Sequence, residues 1–353
     1  MKHVVCSYEM GVDENLRIVK DRYVPQGADE ENTDSSLPRV CLVTGIHGNE
    51  LEGQYFCYEV ARRLREHPEF LTGIVDIYPA LNPLGIGAIT RGIPQFDLDM
   101  NRIFPGNNAA SPFEAIAADI IDDIKGSTLV LDVHASNIYL RELPQIRINE
   151  ITAERLVPWA MEANVDYIWV HANATVLKGT FAYSLNALDT PTLVVEMGVG
   201  MRITRAYGDQ LADGVMRLLG KAGVWSGPVP EVRTPLVSTD GEVDFMNAEV
   251  AGLFIPEAQH DVHVEKGQLI GNVVDTSGGQ VLQEVRSPAS GLLFTLREYP
   301  VVYPGSLIAR VLGKSSSPVP GVEKKPEPLE TPSSPDLTSF MGHFHIHRHS
   351  KEA

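Results

Sequence analysis

Strand-like and helix-like segments alternate along residues 39–225, and this alternation constrains the fold more than any other feature of the sequence. Apolar runs such as RVCLVTGI and STLVLDVHAS are separated by amphipathic stretches such as LEGQYFCYEVARRLREH and PFEAIAADIIDDIKG. Strands that alternate with helices are typical of domains in which helices cover a sheet on its faces. The pattern therefore predicts an α/β domain with a largely parallel sheet.

The sequence pattern changes twice after this α/β region. Residues 229–313 contain short apolar runs that glycine and proline interrupt roughly every 8 to 12 residues, which is typical of a small all-β domain. Residues 314–353 are rich in proline, serine and glutamate and have few apolar residues, which predicts disorder. We expect an α/β domain over residues 1–228, a β domain over 229–313 and a disordered tail over 314–353.

Composition excludes several classes of protein. The formal net charge of −17 argues against binding of nucleic acid through its phosphates. No apolar run approaches the roughly 18 residues of a membrane span, and the first residues lack a signal-peptide pattern, so we expect a cytoplasmic protein without membrane association. Cys6, Cys41 and Cys57 are odd in number, which favours reduced thiols over a disulfide framework.

Histidine and glutamate side chains follow two of the predicted strands. His47 and Glu50 come directly after RVCLVTGI, and His134 lies at the end of LVLDVHAS. Ligands bind at the carboxyl ends of strands in open α/β sheets, where these side chains can share one cavity. Two imidazoles and one carboxylate can hold zinc and leave a position for water. The alternative is that each histidine is an ordinary surface or core residue.

Two further segments supply groups that a hydrolytic site needs. Glu196 ends the apolar run TPTLVVEMG, where burial of a carboxylate is costly without a cation or a function, and it is the candidate general base. The segment TRGIPQFDLDMNRIFPG carries Arg91, Asn101 and Arg102, whose donors suit a carboxylate or a developing oxyanion. An ordinary surface loop remains the alternative for this segment.

Four motifs, in the order GIHGNE, DMNRIFPG, LDVHAS and VVEMG, resemble the succinylglutamate desuccinylase and aspartoacylase family of zinc hydrolases. These enzymes are relatives of the zinc carboxypeptidases, and the resemblance covers residues 35–313. It implies a zinc-carboxypeptidase-like mixed sheet flanked by helices, followed by a small all-β domain. The NRIFPG segment looks closest to bacterial members, which include deacetylases of acetylated diaminobutyrate.

The resemblance also implies roles for individual residues. It implies that one zinc ion per chain is held by His47, Glu50 and His134. By the same resemblance Glu196 is the catalytic glutamate, and Asn101 and Arg102 are the pair that handles the carboxylate of the substrate. Arg91 matches the arginine that polarises the scissile carbonyl. These roles predict a zinc-dependent amidohydrolase, or deacylase, acting on a small N-acyl amino acid.

The β region over residues 229–313 is similar to the barrel-sandwich fold of biotinyl and lipoyl carriers. Carriers present a lysine on a tight hairpin, whereas Lys266 lies in an ordinary glycine turn here, which argues against a swinging-arm role. In the family that the chain resembles, this domain caps the catalytic domain and narrows access to the zinc. A narrow entrance favours small acylated amino acids over long peptides.

Two alternative functions, the oligomeric state and one feature of the tail are left open. A metallocarboxypeptidase acting on peptides is the alternative within the same chemistry, and a non-catalytic zinc-binding scaffold is the alternative from another class. Assembly into a homo-oligomer is also left open. The tail segment HFHIHRHS has histidines at alternate positions, His343, His345, His347 and His349. These side chains either chelate a transition metal or are simply polar.

Overall fold

The structure is a computed structural model that describes residues 2–11, 13–28, 36–172 and 177–313. The predicted disordered tail, with its four histidines, lies outside the described residues. All three cysteines lie within them and are free and buried, which confirms the predicted thiols. Within these ranges no helix is both long enough and apolar enough to cross a bilayer.

Two sheets contain the strands of the described residues. The larger has 13 strands, which are β1 (Lys2–Glu9), β2 (Asn15–Tyr23), β3 (Arg39–Thr44), β4 (Ile74–Tyr78), β5 (Leu129–Ala135), β6 (Leu140–Asn149), β7 (Tyr167–His171), β8 (Thr192–Gly198), β9 (Leu236–Thr239), β10 (Val243–Asn247), β12 (Val262–Val264), β15 (Gly291–Arg297) and β17 (Leu307–Leu312). The smaller has four, which are β11 (Gly252–Pro256), β13 (Leu269–Asp275), β14 (Gln280–Arg286) and β16 (Val301–Val302).

The large sheet is mixed, as the family resemblance implied. Its parallel centre has the order β4-β3-β5-β8, and the antiparallel pair β1-β2 extends it beyond β4. On the other side β6 runs antiparallel to β8. The second edge of β6 pairs with β15 near its start and with β7 near its end. The sheet therefore branches at β6, next to the carboxyl ends of the central strands.

Helices cover both faces of the central sheet. They are α1 (Glu52–Glu66), α2 (Pro83–Ala88), α3 (Pro112–Ile124), α4 (Ala153–Ala160), α5 (Phe181–Ala187) and α6 (Arg205–Lys221). The apolar sides of α1, α4 and α6 pack in one core with alternate residues of β3, β5, β6 and β8, and α3 and α5 pack in a second core on the opposite face. A capping box of Ser111 and Glu114 begins α3 and satisfies backbone N–H groups of its first turn.

The residues after α6 form the predicted second β domain. Its own core contains side chains of β10, β11, β12, β13, β15 and β17. The domain is joined to the large sheet, because Thr295 of β15 pairs with Glu142 of β6. The boundaries at residues 228 and 313 stay predictions, but this pairing brings the β domain next to the strands that carry the candidate site.

Candidate active site

The loop after β3 presents His47 and Glu50 because the chain turns tightly there. A Cβ atom added to Gly48 would lie 1.9 Å from the backbone carbon of Gly85, so only glycine permits this close approach. The backbone N–H of Gly48 donates to the carbonyl of Arg91 at 3.2 Å. The loop is thereby fixed to the segment that carries the predicted arginine.

His47, Glu50 and His134 form one buried cluster, in which a ligand atom of each lies within 4.8 Å of the others. Oε1 of Glu50 lies 2.8 Å from Nδ1 of His47, and Oε2 lies 3.0 Å from Nδ1 of His134. Nδ1 of His47 is buried and has no aligned hydrogen-bond partner among the described residues. A buried nitrogen lone pair beside a carboxylate is what a metal ion would satisfy, and the donor set fits zinc.

A carboxylate lies behind each histidine of the cluster. Nε2 of His47 lies 3.1 Å from Oδ1 of Asp99, and Nε2 of His134 lies 3.0 Å from Oδ1 of Asp132. The contact of His47 with Asp99 is a hydrogen bond, and that of His134 with Asp132 is an ion-pair contact. Carboxylates so placed favour the ring proton on Nε2, which leaves Nδ1 available to a metal ion. The sequence analysis did not identify either aspartate. A charged residue inside an apolar strand, two positions before His134, was the available signal for Asp132.

The electrostatics of the cluster follow from burial and pairing. Burial opposes the charged form of Glu50, but the adjacent His134 and His47 side chains outweigh it and lower the pKa of Glu50 to about 2. Burial likewise opposes the charged form of His134, and the nearby Asp132 and Glu50 raise the pKa of His134 well above its usual value. A metal ligand must be a neutral imidazole, so metal binding at this cluster releases protons.

Arg91 lies beside the cluster, as its predicted role requires. Its Nη1 donates to Oε1 of Glu50 at 3.1 Å, and its Nε donates to Oδ2 of Asp99 at 3.2 Å. The side chain is partly exposed, so its remaining N–H groups can reach a ligand. Its position follows from the contact between the loop after β3 and the segment after α2.

Asn101 and Arg102 lie on the same segment, close to Asp99. The side-chain oxygen of Asn101 accepts a hydrogen bond from the backbone of Phe181 at 2.8 Å, which ties this segment to α5. Arg102 donates to the carbonyl of Asn101 at 2.7 Å, and 45% of its side chain is exposed. Its Nη2 lies 3.9 Å from Oδ2 of Asp99. The exposed N–H groups of the guanidinium can donate hydrogen bonds to a carboxylate of a bound molecule.

Glu196 lies on β8, beside the cluster of His47, Glu50 and His134. Its register partners are His134 of β5 on one side and Gln145 of β6 on the other, so these side chains share one face of the sheet. The side chain is 17% exposed. Burial raises the pKa of Glu196 to about 7, against the opposing charges of Arg147 and His134. A carboxylate with this pKa is suited to accept and return a proton near neutral pH.

The sequence analysis missed the residues on the far side of Glu196. Arg147 lies two residues after Gln145 on β6, and its Nη1 is 3.6 Å from Oε1 of Glu196. The alternating polar residues of LRELPQIRIN were the signal for a strand with one polar face. The structure thus brings all seven predicted site residues to one edge of the sheet and adds an arginine next to the candidate base.

Comparison with solved structures shows the same fold in several proteins. The product-bound ectoine utilization protein EutE (DoeB) from Ruegeria pomeroyi is 22% identical, with a TM-score of 0.72 over 86% of this chain and 92% of that chain. A succinylglutamate desuccinylase/aspartoacylase from Rhodobacter sphaeroides is 21% identical, with a TM-score of 0.71 over 88% and 95%. An aspartoacylase family protein from Mesorhizobium loti is 22% identical, with a TM-score of 0.67 over 87% and 91%.

Sequence comparison identifies the family. No protein with a curated description matches the chain significantly. The family model described as the succinylglutamate desuccinylase/aspartoacylase catalytic domain matches residues 36–221, which is just over half of the chain and includes every predicted site residue. The chain therefore belongs to the succinylglutamate desuccinylase/aspartoacylase family of hydrolases.

Proposed function

We propose that this protein is a zinc-dependent amidohydrolase that removes the acyl group from a small N-acyl amino acid. The observation that carries the proposal is the buried cluster of His47, Glu50 and His134, with Glu196 in register beside it. Two imidazole nitrogens and one carboxylate oxygen suit zinc and leave a coordination position open. When bound, zinc activates a water molecule and polarises a carbonyl oxygen.

The protein side chains would then divide the remaining chemistry. Glu196 accepts a proton from the attacking water and returns it to the departing amine, which needs a group that titrates near neutral pH. Arg91 donates to the carbonyl oxygen as negative charge develops there. Arg102, together with Asn101, holds the carboxylate of the amino-acid part through its exposed guanidinium. Arg91 and Glu196 lie beside the cluster of His47, Glu50 and His134, and Arg102 lies close to Asp99, behind His47.

We infer the substrate class from the position of the β domain and from the relatives. One related structure is that of the ectoine utilization protein EutE with its product bound, and ectoine is a small molecule. In this chain the β domain is joined to β6, close to Glu196, and would restrict access for long peptides. We therefore place a small acylated amino acid ahead of a peptide as the substrate.

A panel of N-acyl amino acids tests this proposal. The purified full chain is stripped with a chelator, reloaded with zinc, and assayed for release of acetate, succinate or another acid from N-acetyl and N-succinyl amino acids. We expect hydrolysis that is lost on chelation and restored by zinc. Release of C-terminal residues from peptides alone would instead identify a carboxypeptidase. A zinc-loaded protein that hydrolyses neither class would identify a scaffold.

A further inference from the structure

A charged group next to Glu196 connects the two domains. Glu142 of β6 is only 1% exposed, and both of its oxygens accept from Nη2 of Arg147, at 3.0 and 2.8 Å. Nη1 of Arg310 on β17 donates to Oε1 of the same carboxylate at 2.5 Å. One buried carboxylate is thus shared by Arg147 of β6, next to the candidate base, and by Arg310 of β17 in the β domain.

The charges of this group explain its arrangement. A buried carboxylate without a partner is costly, so Glu142 requires the two guanidiniums. Together Glu142, Arg147 and Arg310 carry one excess positive charge, and the nearby negative group is Glu196, at 3.6 Å from Nη1 of Arg147. Both guanidiniums also lie over the ring of Trp169, with Cζ at 5.8 Å for Arg147 and 5.5 Å for Arg310.

Few other contacts hold Arg147 in this orientation. Its Nε atom is buried and has no hydrogen-bond partner among the described residues, and the same is true of both polar side-chain atoms of Gln145. The distance to Glu196 is that of an ion pair and exceeds a hydrogen bond. The hydrogen bonds that fix the guanidinium therefore come from Glu142, which is held in turn by Arg310 and by a longer hydrogen bond of 3.4 Å from the hydroxyl of Thr295, both on the β domain.

We propose that Arg310 and Glu142 are positioning residues that hold the Arg147 guanidinium against the carboxylate of Glu196. The β domain then does more than cover the site, because it contributes a residue that sets the geometry around the base. This inference rests on the proposed function, in which Glu196 transfers the proton. Because Arg147 faces Glu196, whereas the proposed substrate contacts are made by Arg91, Asn101 and Arg102, its loss acts on turnover and leaves substrate affinity unchanged.

The variants Arg147→Met, Arg310→Met and the double variant test the proposal. We expect kcat to fall roughly tenfold or more in each single variant, with KM within about twofold and the zinc content unchanged. The kcat of the double variant is no lower than that of Arg147→Met, because Arg310 acts through Arg147. Arg310→Lys, which keeps the charge and one donor to Glu142, retains most of kcat.

Arg297→Met is the matched control. Arg297 also lies on the β domain, and its guanidinium donates to the backbone carbonyls of Tyr299, Leu307 and Val301 without touching Glu142. Its loss weakens the β domain and lowers the melting temperature, but kcat stays unchanged. An equal fall in kcat in this variant would overturn the proposal, since any damage to the domain would then suffice. Unchanged kcat in Arg310→Met would also overturn it.

Two further outcomes separate this inference from the proposed function. A rise in KM in Arg147→Met would show that Arg147 binds substrate directly, which contradicts a positioning role while leaving the amidohydrolase proposal intact. Crystal structures of the wild type and Arg310→Met give a result that needs no substrate. We expect the Arg147 guanidinium to move away from Glu196, and an unmoved guanidinium would overturn the inference even if no substrate were found.

Discussion

The candidate site has a metal half, formed by His47, Glu50 and His134, and a base half, formed by Glu196 and the neighbouring Arg147. The two halves are built differently. His47, Glu50 and His134 are buried, and a second carboxylate stands behind each histidine. Glu196, one strand further along the sheet, is partly exposed, and Arg147 approaches it without a hydrogen bond. The candidate ligand side chains are thus held by short contacts among β5 and the loops at the carboxyl ends of the central strands, whereas the surroundings of the base depend on β6 and on the β domain.

This difference predicts two kinds of variant. A ligand that is buried among fixed partners has no substitute nearby, so variants of the metal half lose the metal and all activity with it. Variants of the base half keep the metal and lose turnover, because the ligand cluster makes no hydrogen bond to Arg147 or Glu142 among those found in the described residues. Zinc content and kcat, measured together, therefore separate the two halves.

The largest effect is expected for His134→Ala. Removal of one of three protein ligands leaves Glu50 and His47 unable to hold zinc, so both bound zinc and hydrolysis are lost. Elemental analysis after gel filtration measures the zinc. His263→Ala, at a histidine on β12 that is 67% exposed, is the control and retains zinc. Full zinc occupancy in His134→Ala would contradict the assignment of the ligands.

Glu196→Gln tests the base half directly. Glutamine has nearly the same shape but cannot accept the proton, so kcat falls by roughly 10²- to 10⁴-fold. The fold and the zinc content stay as in the wild type, as circular dichroism and elemental analysis can check. Nearly unchanged kcat in this variant would mean that another residue is the base. The distinction between the metal half and the base half would then be wrong.

Asp132→Asn tests the support behind the metal half. The neutral amide orients the His134 ring less strongly than a carboxylate, so zinc affinity falls roughly 10- to 100-fold. Competition with a chromophoric chelator measures the affinity, and kcat at saturating zinc changes little. The control is Asp122→Asn, at an exposed aspartate of α3 that pairs with Lys125. Equal zinc affinities in wild type and Asp132→Asn would mean that the ring needs no carboxylate behind it.

A smaller effect is expected for Arg102→Ala. Because the Arg102 guanidinium is largely exposed, its pairing with a substrate carboxylate contributes about 2 kcal/mol, or roughly 30-fold in KM. The comparison of an N-acyl amino acid with its carboxamide, in wild type and variant, measures this contribution. We expect the wild type to prefer the carboxylate and the variant to show little preference. If the variant still prefers the carboxylate substrate over its carboxamide, a group other than Arg102 binds the carboxylate.

The smallest effect is expected for truncation after Gly313. The removed residues are predicted to be disordered, so the melting temperature and the activity at saturating zinc stay unchanged. The tail histidines bear on the metal half only if they raise the local zinc concentration. In that case the truncated apoprotein regains activity more slowly at limiting zinc. Equal rates for both proteins would exclude delivery, and a large fall in melting temperature would contradict the disorder.

Local patterns in the sequence were sufficient for most of the α/β domain. The run STLVLDVHAS became β5, and PFEAIAADIIDDIKG became α3, because a short continuous apolar run or apolar residues with a period of 3.6 need only their own segment to be recognised. The metal half was predictable for a related reason. His47 and Glu50 are three residues apart, and His134 ends a clear strand, so each ligand carried its own signal.

Beyond Glu196, no residue of the base half carried a local pattern that predicts its role in the site. Strand β6 was not predicted, because Glu142, Gln145 and Arg147 interrupt its apolar character. Arg310 is 168 residues from Glu142, and no local pattern links them. Their meeting depends on the register of β6 with β8 and β15, and a slip of one residue would turn these side chains to the opposite face. The sequence by itself determined most of the elements and the candidate metal ligands, whereas only the packing of distant strands decided what surrounds Glu196.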